Sequence, residues 1–192
     1  MKRPLLMALI ALGCASLSAL QGCAVVVAGA AAGAVVATDR RSSAVQLDDQ
    51  TIELKGSARL REQLPASAKV DLTSFNHKVL LTGYVGDEAA KAEVERVMRA
   101  VPGVTRMYNE IIVGNPASNT QYVDDAYIST KVKARLLERS QQLYANHIKV
   151  VTEAGSVYLL GLVRPDEADI AADVASGTSG VKRVVKLFEY IN

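Results

Sequence analysis

The chain has 192 residues, and 22 lysines and arginines stand against 20 aspartates and glutamates, for a net charge of +2. That near-balance excludes the broad basic field of a nucleic-acid binder. Of the two cysteines, Cys14 falls in an expected leader, so a processed chain has neither a disulfide nor a thiol pair for a metal, and its stability must come from packing.

Lys2 and Arg3 precede an uncharged apolar run from Leu5 to Leu20, and the small residue Gly22 stands directly before Cys23. This is the layout of a secretory signal over residues 1–22. The run is shorter than the roughly 20 residues a spanning helix needs. Leu20-Gln21-Gly22-Cys23 resembles the lipobox of bacterial lipoproteins, which implies cleavage before Cys23 and acyl chains, palmitate among them, on its thiol and new amine. Ala24 stands where an aspartate would resemble an inner-membrane retention signal, so the resemblance implies the outer membrane, with the domains facing the periplasm. Each buried acyl methylene contributes about 0.8 kcal/mol, so a multiply acylated Cys23 holds the protein on a bilayer without further help. Loss of Lys2 and Arg3 with the leader leaves 20 basic residues against 20 acidic ones.

Residues 24–37 are alanine, glycine and valine throughout, and 38–47 are mostly polar; with Cys23 they read as a tether over 23–47. Beyond it the chain repeats itself. Asp48, Asp49, Ile52, Lys55, Ala58, Arg59 and Leu60 recur 76 residues later as Asp124, Asp125, Ile128, Lys131, Ala134, Arg135 and Leu136. Val79, Leu81, Gly83 and Val85 recur as Val157, Leu159, Gly161 and Val163, and Gly103, Val104 and Arg106 as Gly180, Val181 and Arg183. Two copies of one small domain are expected, over 48–113 and 124–192. The turn-rich segment 114–123 between them is short enough to predict that they pack on each other.

Each copy reads as helix, strand, strand, helix, strand. The aspartate pairs suit helix N-termini, and Ile52, Gly56 and Leu60, or Ile128, Val132 and Leu136, fall on one helix face. Alternating residues then meet turns at Asn76-His77-Lys78 and Ala154-Gly155-Ser156, which predicts hairpins. A second helix from about Asp87 to Val101, and its alanine-rich counterpart, stop at Pro102-Gly103 and Ser179-Gly180. A final strand closes the sheet. The fold class is α+β, each three-stranded mixed sheet being covered by two helices. Gly83 and Gly161 read as structural glycines within strands.

The glycines in apolar strands, the Gly-Val before the last strand and this element order resemble BON domains. A lipobox followed by two of them resembles the dual-BON outer-membrane lipoproteins, a family associated with division, outer-membrane stress and lipid binding. The resemblance implies binding of anionic phospholipid through the second domain, support of envelope integrity, and placement at division sites.

No catalytic residue, metal ligand set or cofactor motif is found, and His77 and His147 occupy non-equivalent places in the repeats, so a non-enzyme is expected. The repeats diverge informatively in their first helices. Tyr127, Lys131, Arg135 and Arg139 form an i+4 ridge beside the core ridge that begins at Ile128, where the first copy has Thr51, Lys55, Arg59 and Gln63. An aromatic beside cations suits a bilayer surface. Tyr127, Ile128, Lys131, Arg135 and Arg139 are therefore the expected phospholipid contacts, and Cys23 the lipidation site. The same patch would also suit an envelope protein partner.

Overall fold

A computed structural model describes residues 39–114, 119–139 and 145–192. The leader, Cys23 and the tether up to residue 38 lie outside the described residues, as does the middle of the expected linker. Residues Arg40–Asn192 form one compact unit.

In the first repeat, helix α1 (Ser43–Gln63) is followed by strands β1 (Lys69–Phe75) and β2 (Lys78–Val85), helix α2 (Glu88–Arg99) and strands β3 (Arg106–Asn109) and β4 (Ile112–Val113). The second repeat has α3 (Asn119–Glu138), a short 3-10 turn (Ala145–His147), β5 (Ile148–Glu153), β6 (Ser156–Val163), α4 (Pro165–Ser176) and β7 (Arg183–Tyr190). In each sheet the hairpin partners are antiparallel and the last strand adds in parallel to the middle one. The mixed α+β class expected from the sequence is the one observed. In the first repeat the last strand is interrupted after Asn109 and resumes at Ile112, both parts pairing with β2.

The helix starts differ from expectation. Helix α1 begins five residues before Asp48, with the Ser42 hydroxyl accepting the Val45 amide at 3.3 Å. Helix α3 likewise takes in residues 119–123, which the sequence pattern assigns to the linker. Asp49 and Asp125 therefore lie inside their helices, one turn or more past the start, and bind across the domain. The Asp49 carboxylate accepts from the Asn76 and His77 amides at 2.8 and 2.9 Å and from the Ser74 hydroxyl at 2.6 Å. Asp125 accepts from the Ala154 and Gly155 amides, both at 2.8 Å. Each clamps a two-residue hairpin turn whose residues have positive φ: 51° and 63° at Asn76 and His77, 52° and 78° at Ala154 and Gly155. That is the twist-matched primed turn, and the aspartate satisfies the amides it would otherwise leave bare.

Gly83 and Gly161 hold equivalent positions opposite Val70 and Ile148. A Cβ on Gly83 would lie 2.0 Å from the Lys69 carbonyl oxygen, and one on Gly161 would lie 2.5 Å from that of His147. In both domains it is backbone at the start of the neighbouring strand, Lys69 of β1 or His147 just before β5, that imposes the glycine.

Each helix pair covers one face of its sheet. Ile52, Leu60, Val79, Leu81, Val94 and Met98 make the first core, and Ile128, Val132, Leu136, Val157, Leu159 and Phe188 anchor the second. The opposite sheet faces meet each other through Phe75, Leu80, Tyr158, Leu160 and Leu187. Middle strands β2 and β6 are thus covered on both sides, which explains their nearly unbroken apolar sequences. Ion pairs rim the seam: Arg183 with Glu110 at 2.8 Å, Lys78 with Glu189 at 3.1 Å, and Lys149 with Glu53 at 3.0 Å. The residues before α1 join in. Arg40 grips both carboxylate oxygens of buried Glu167 at 2.7 and 2.9 Å, and Arg41 bonds Asp49 at 2.8 Å while lying 3.9 Å from the Phe75 ring centre.

Candidate functional site

Helix α3 carries two adjacent ridges with different fates. Ile128, Val132 and Leu136 point into the core, whereas Tyr127 on the next ridge is 63% exposed. The Lys131 ammonium lies 4.7 Å from the Tyr127 ring centre and donates to the Ser179 carbonyl at 2.6 Å. Arg135 donates to the Gly177 carbonyl and to the Thr178 hydroxyl. Both cations therefore sit at the C-terminus of α4, where carbonyls lack intrahelical partners and the dipole is negative. Arg59 does the same in the first repeat, donating to the Ala100 carbonyl just past α2.

The expected contact residues thus separate. Tyr127 and Lys131 face a cleft of about 250 Å³, and Ile128, buried to 6% exposure, forms part of its apolar floor. Arg135 near the end of α3 and Arg139 just past it lie beside Glu138 and Asp173 in a different recess. The expected single ridge along the helix is a head, built around an aromatic ring, and a tail in which Arg135 caps the neighbouring helix.

The cleft also holds a residue the sequence reading missed. Lys182 reaches it from the turn after α4, its amide donating to the Gly155 carbonyl at 2.8 Å and its stem lying over Gly155. The repeat alignment holds the clue, since the equivalent position is Thr105, whose amide bonds the His77 carbonyl at 2.9 Å in the same way. At this corner the first domain has Thr51, His77 and Thr105; the second has Tyr127, Gly155 and Lys182. In the first domain the His77 ring at this turn pairs with Asp48 at 3.2 Å, whereas over Gly155 the Lys182 stem packs so closely that a Cβ there would lie 3.0 Å from it. Gly180 has a φ of 97°, and a Cβ there would lie only 3.0 Å from the Ile128 side chain, so a glycine closes the cleft floor.

Charge states distinguish the clamps from the rest. Burial pushes the Asp49 carboxyl up, but the bonds from Ser74, the His77 and Asn76 amides and Arg41 outweigh it and hold the group below the usual carboxylate range. Glu167 follows the same pattern, its burial outweighed by Arg40 and the Arg164 amide. Glu153 goes the other way. Burial, then Asp125 and Asp71, push it up to about 7.

The BON domain family model matches residues 48–115 and 124–192. The outer membrane lipoprotein DolP of Haemophilus influenzae is 39% identical over 176 residues, covering 90% of this chain and 91% of that protein. The 21 kDa hemolysin of Actinobacillus pleuropneumoniae is 36% identical over 80% of this chain and 79% of its own length. The osmotically-inducible protein Y of Escherichia coli is 30% identical over 72% and 70% respectively.

Proposed function

Since the chain belongs to the BON domain family and carries two copies of the domain, we propose that it is an outer-membrane lipoprotein whose second domain engages anionic phospholipid. Cys23 supplies the permanent anchor, and the domains face the periplasm. The head of α3 then decides where along the bilayer the protein dwells, in support of envelope integrity and with division sites as one place of residence. The lipoprotein likeness supports the anchoring half of this reading. Among the described residues, no helix is long and apolar enough to cross a membrane, so attachment through the acyl chains requires no spanning element from them.

One observation carries the lipid half: an exposed tyrosine stands beside Lys131 and Lys182 at an open cleft, in one repeat and not in the other. The ring suits the headgroup layer, and the two ammonium groups suit lipid phosphates. Near an anionic surface each contributes on the order of 1 kcal/mol, enough for reversible placement of an already anchored protein. Neither histidine enters this chemistry; His77 is part of a hairpin turn and His147 is buried. The protein works by binding and not by catalysis.

A second reading, an adaptor for an envelope assembly or cell-wall remodelling machine, draws support from α1. Leu47 and Leu54 on its outer face are 62% and 70% exposed. Exposed leucines one heptad apart suit a protein groove more than an anionic surface, since Asp48 and Glu62 lie on the same side as Lys55.

The test is co-sedimentation of Arg40–Asn192, the compact unit with both cores, with zwitterionic and anionic vesicles. Binding to the anionic vesicles alone, weakened by salt and lost in Tyr127→Glu, is the expected result. Equal indifference to both vesicle types would overturn the lipid reading and leave the adaptor.

A further inference from the structure

The duplication makes the two ends of the seam between the sheets equivalent, yet they are filled differently. At one end Lys149 of β5 reaches across to the other domain, donating to Glu53 of α1 at 3.0 Å and to the Ser74 carbonyl at 3.4 Å. The counterpart of Lys149 is Asp71 of β1, as the strand pairings show: Lys149 stands opposite Leu160, and Asp71 opposite Thr82. The counterpart of Glu53 is Ser129, and that of Phe75 is Glu153. A cation has been exchanged for an anion, and an apolar ring for a carboxyl.

At this second end the seam opens into a cleft of about 400 Å³ whose polar lining is Asp71, Thr73, Thr82 and Glu153 with the Ser129 hydroxyl donating to that of Thr152 at 2.7 Å, and whose apolar walls include Leu72 and Val150. Glu153 is 5% exposed, and no described residue gives it a hydrogen bond or an ion pair. The charged groups that face it are both acids, Asp125 from α3 and Asp71 from β1. Farther along the same two strand faces stand Lys69 on β1 and Lys149 on β5, the latter engaged with Glu53. A carboxylate held this deep without a cation is costly, and the opposite end shows what the geometry accommodates.

We infer that this cleft binds a primary-ammonium cation of the polyamine class, one terminal ammonium taking the place that the Lys149 ammonium fills at the other end of the seam. The donor set favours an extended amine over a metal ion. Among the described residues no group of three acids or histidines could hold a metal, whereas carboxylates and hydroxyls spaced around a cleft match a chain bearing several N–H donors. The volume is that of a small-molecule site. Both domains contribute to the walls, so occupancy stabilises their packing. Because burial and the neighbouring acids push Glu153 up to about 7, binding near neutral pH also releases a proton.

Calorimetric titration of spermidine into the full-length chain in non-ionic detergent tests this, with magnesium chloride at matched ionic strength as the control. One saturable site is expected, tighter at pH 8 than at pH 6, with proton release seen as buffer-dependent heat at pH 7. Glu153→Gln should weaken it about tenfold. Asp71→Lys supplies the ammonium from the chain itself, and should abolish binding while raising the Tm. No saturable heat, magnesium binding as tightly as spermidine, or both folded variants binding like the parent would each overturn the inference.

Discussion

Helices α1 and α3 descend from one sequence and sit in the same place in their domains, but only α3 has acquired an aromatic head. What they share is structural. Asp49 and Asp125 clamp hairpin turns, and Arg59 and Arg135 cap the following helix. Ile52 and Ile128 each pack under a glycine with positive φ, Gly103 or Gly180. What they do not share is the corner above that glycine, where Thr51, His77 and Thr105 became Tyr127, Gly155 and Lys182. The contrast teaches which residues to discount. An arginine that caps the following helix in both copies, as Arg59 and Arg135 do, belongs to the fold, whereas the residues that differ at this corner, Tyr127 and Lys182, are where a separate function can reside, with the shared Lys131 beside them.

The comparison is broken most severely by removing what the copies share. Gly83→Ala places a methyl group 2.0 Å from a backbone oxygen at a φ of 105°, and should cost at least about 3 kcal/mol in urea unfolding. Gly161→Ala, with its nearest contact at 2.5 Å, should cost less than Gly83→Ala. A smaller loss is expected from the clamps. Asp125→Ala leaves two turn amides unpaired, at about 2 kcal/mol; Asp49→Ala should exceed it because Ser74 and Arg41 lose their partner too.

Glu153, standing where the first repeat has Phe75, gives the next effect. Its folded pKa of about 7 lies above the unfolded value near 4.5, so its contribution is fully present below that unfolded value and is lost as the pH rises through 7. Thermal unfolding without added amine should give a Tm roughly 5 °C lower at pH 8 than at pH 6, and Glu153→Gln should flatten that difference. Asp49 and Glu167 act with the opposite sign. Their depressed pKa values give stability that is present above the ordinary carboxylate range and lost as the pH falls through the folded values. Arg135→Ala should lower stability by only about 0.5–1 kcal/mol, as a lost helix-terminus cation does, and Arg59→Ala should match it.

The smallest effect on stability sharpens the comparison most. Tyr127→Thr, which restores the first repeat's residue at a position 63% exposed, should leave the Tm within about 1 °C while removing anionic-vesicle binding. In the converse experiment, Thr51→Tyr with His77→Gly and Thr105→Lys should confer a second vesicle-binding corner on the first domain.

Much of this was decided by local chemistry and is legible in the chain. Helical spacing at Ile52 and Leu60, alternation along β1 and β5, and turn residues at fixed offsets specify the elements, and the repeat specifies that there are two such domains. Tyr127 is legible as exposed because it is one residue off the core ridge. Other features needed the third dimension, because they depend on residues far apart in sequence. Asp49 and Asp125 look like helix caps beside their own helices, yet the amides they hold lie 27 to 30 residues ahead. Lys182 joins Tyr127 only because the turn after α4 folds back over Gly155. Which sheet face is left for the partner domain was decided by packing, since helices can cover only one side of each sheet and the other apolar face must find its own cover. That pairing of faces, which no local pattern encodes, places Glu153 against Asp71 across the seam.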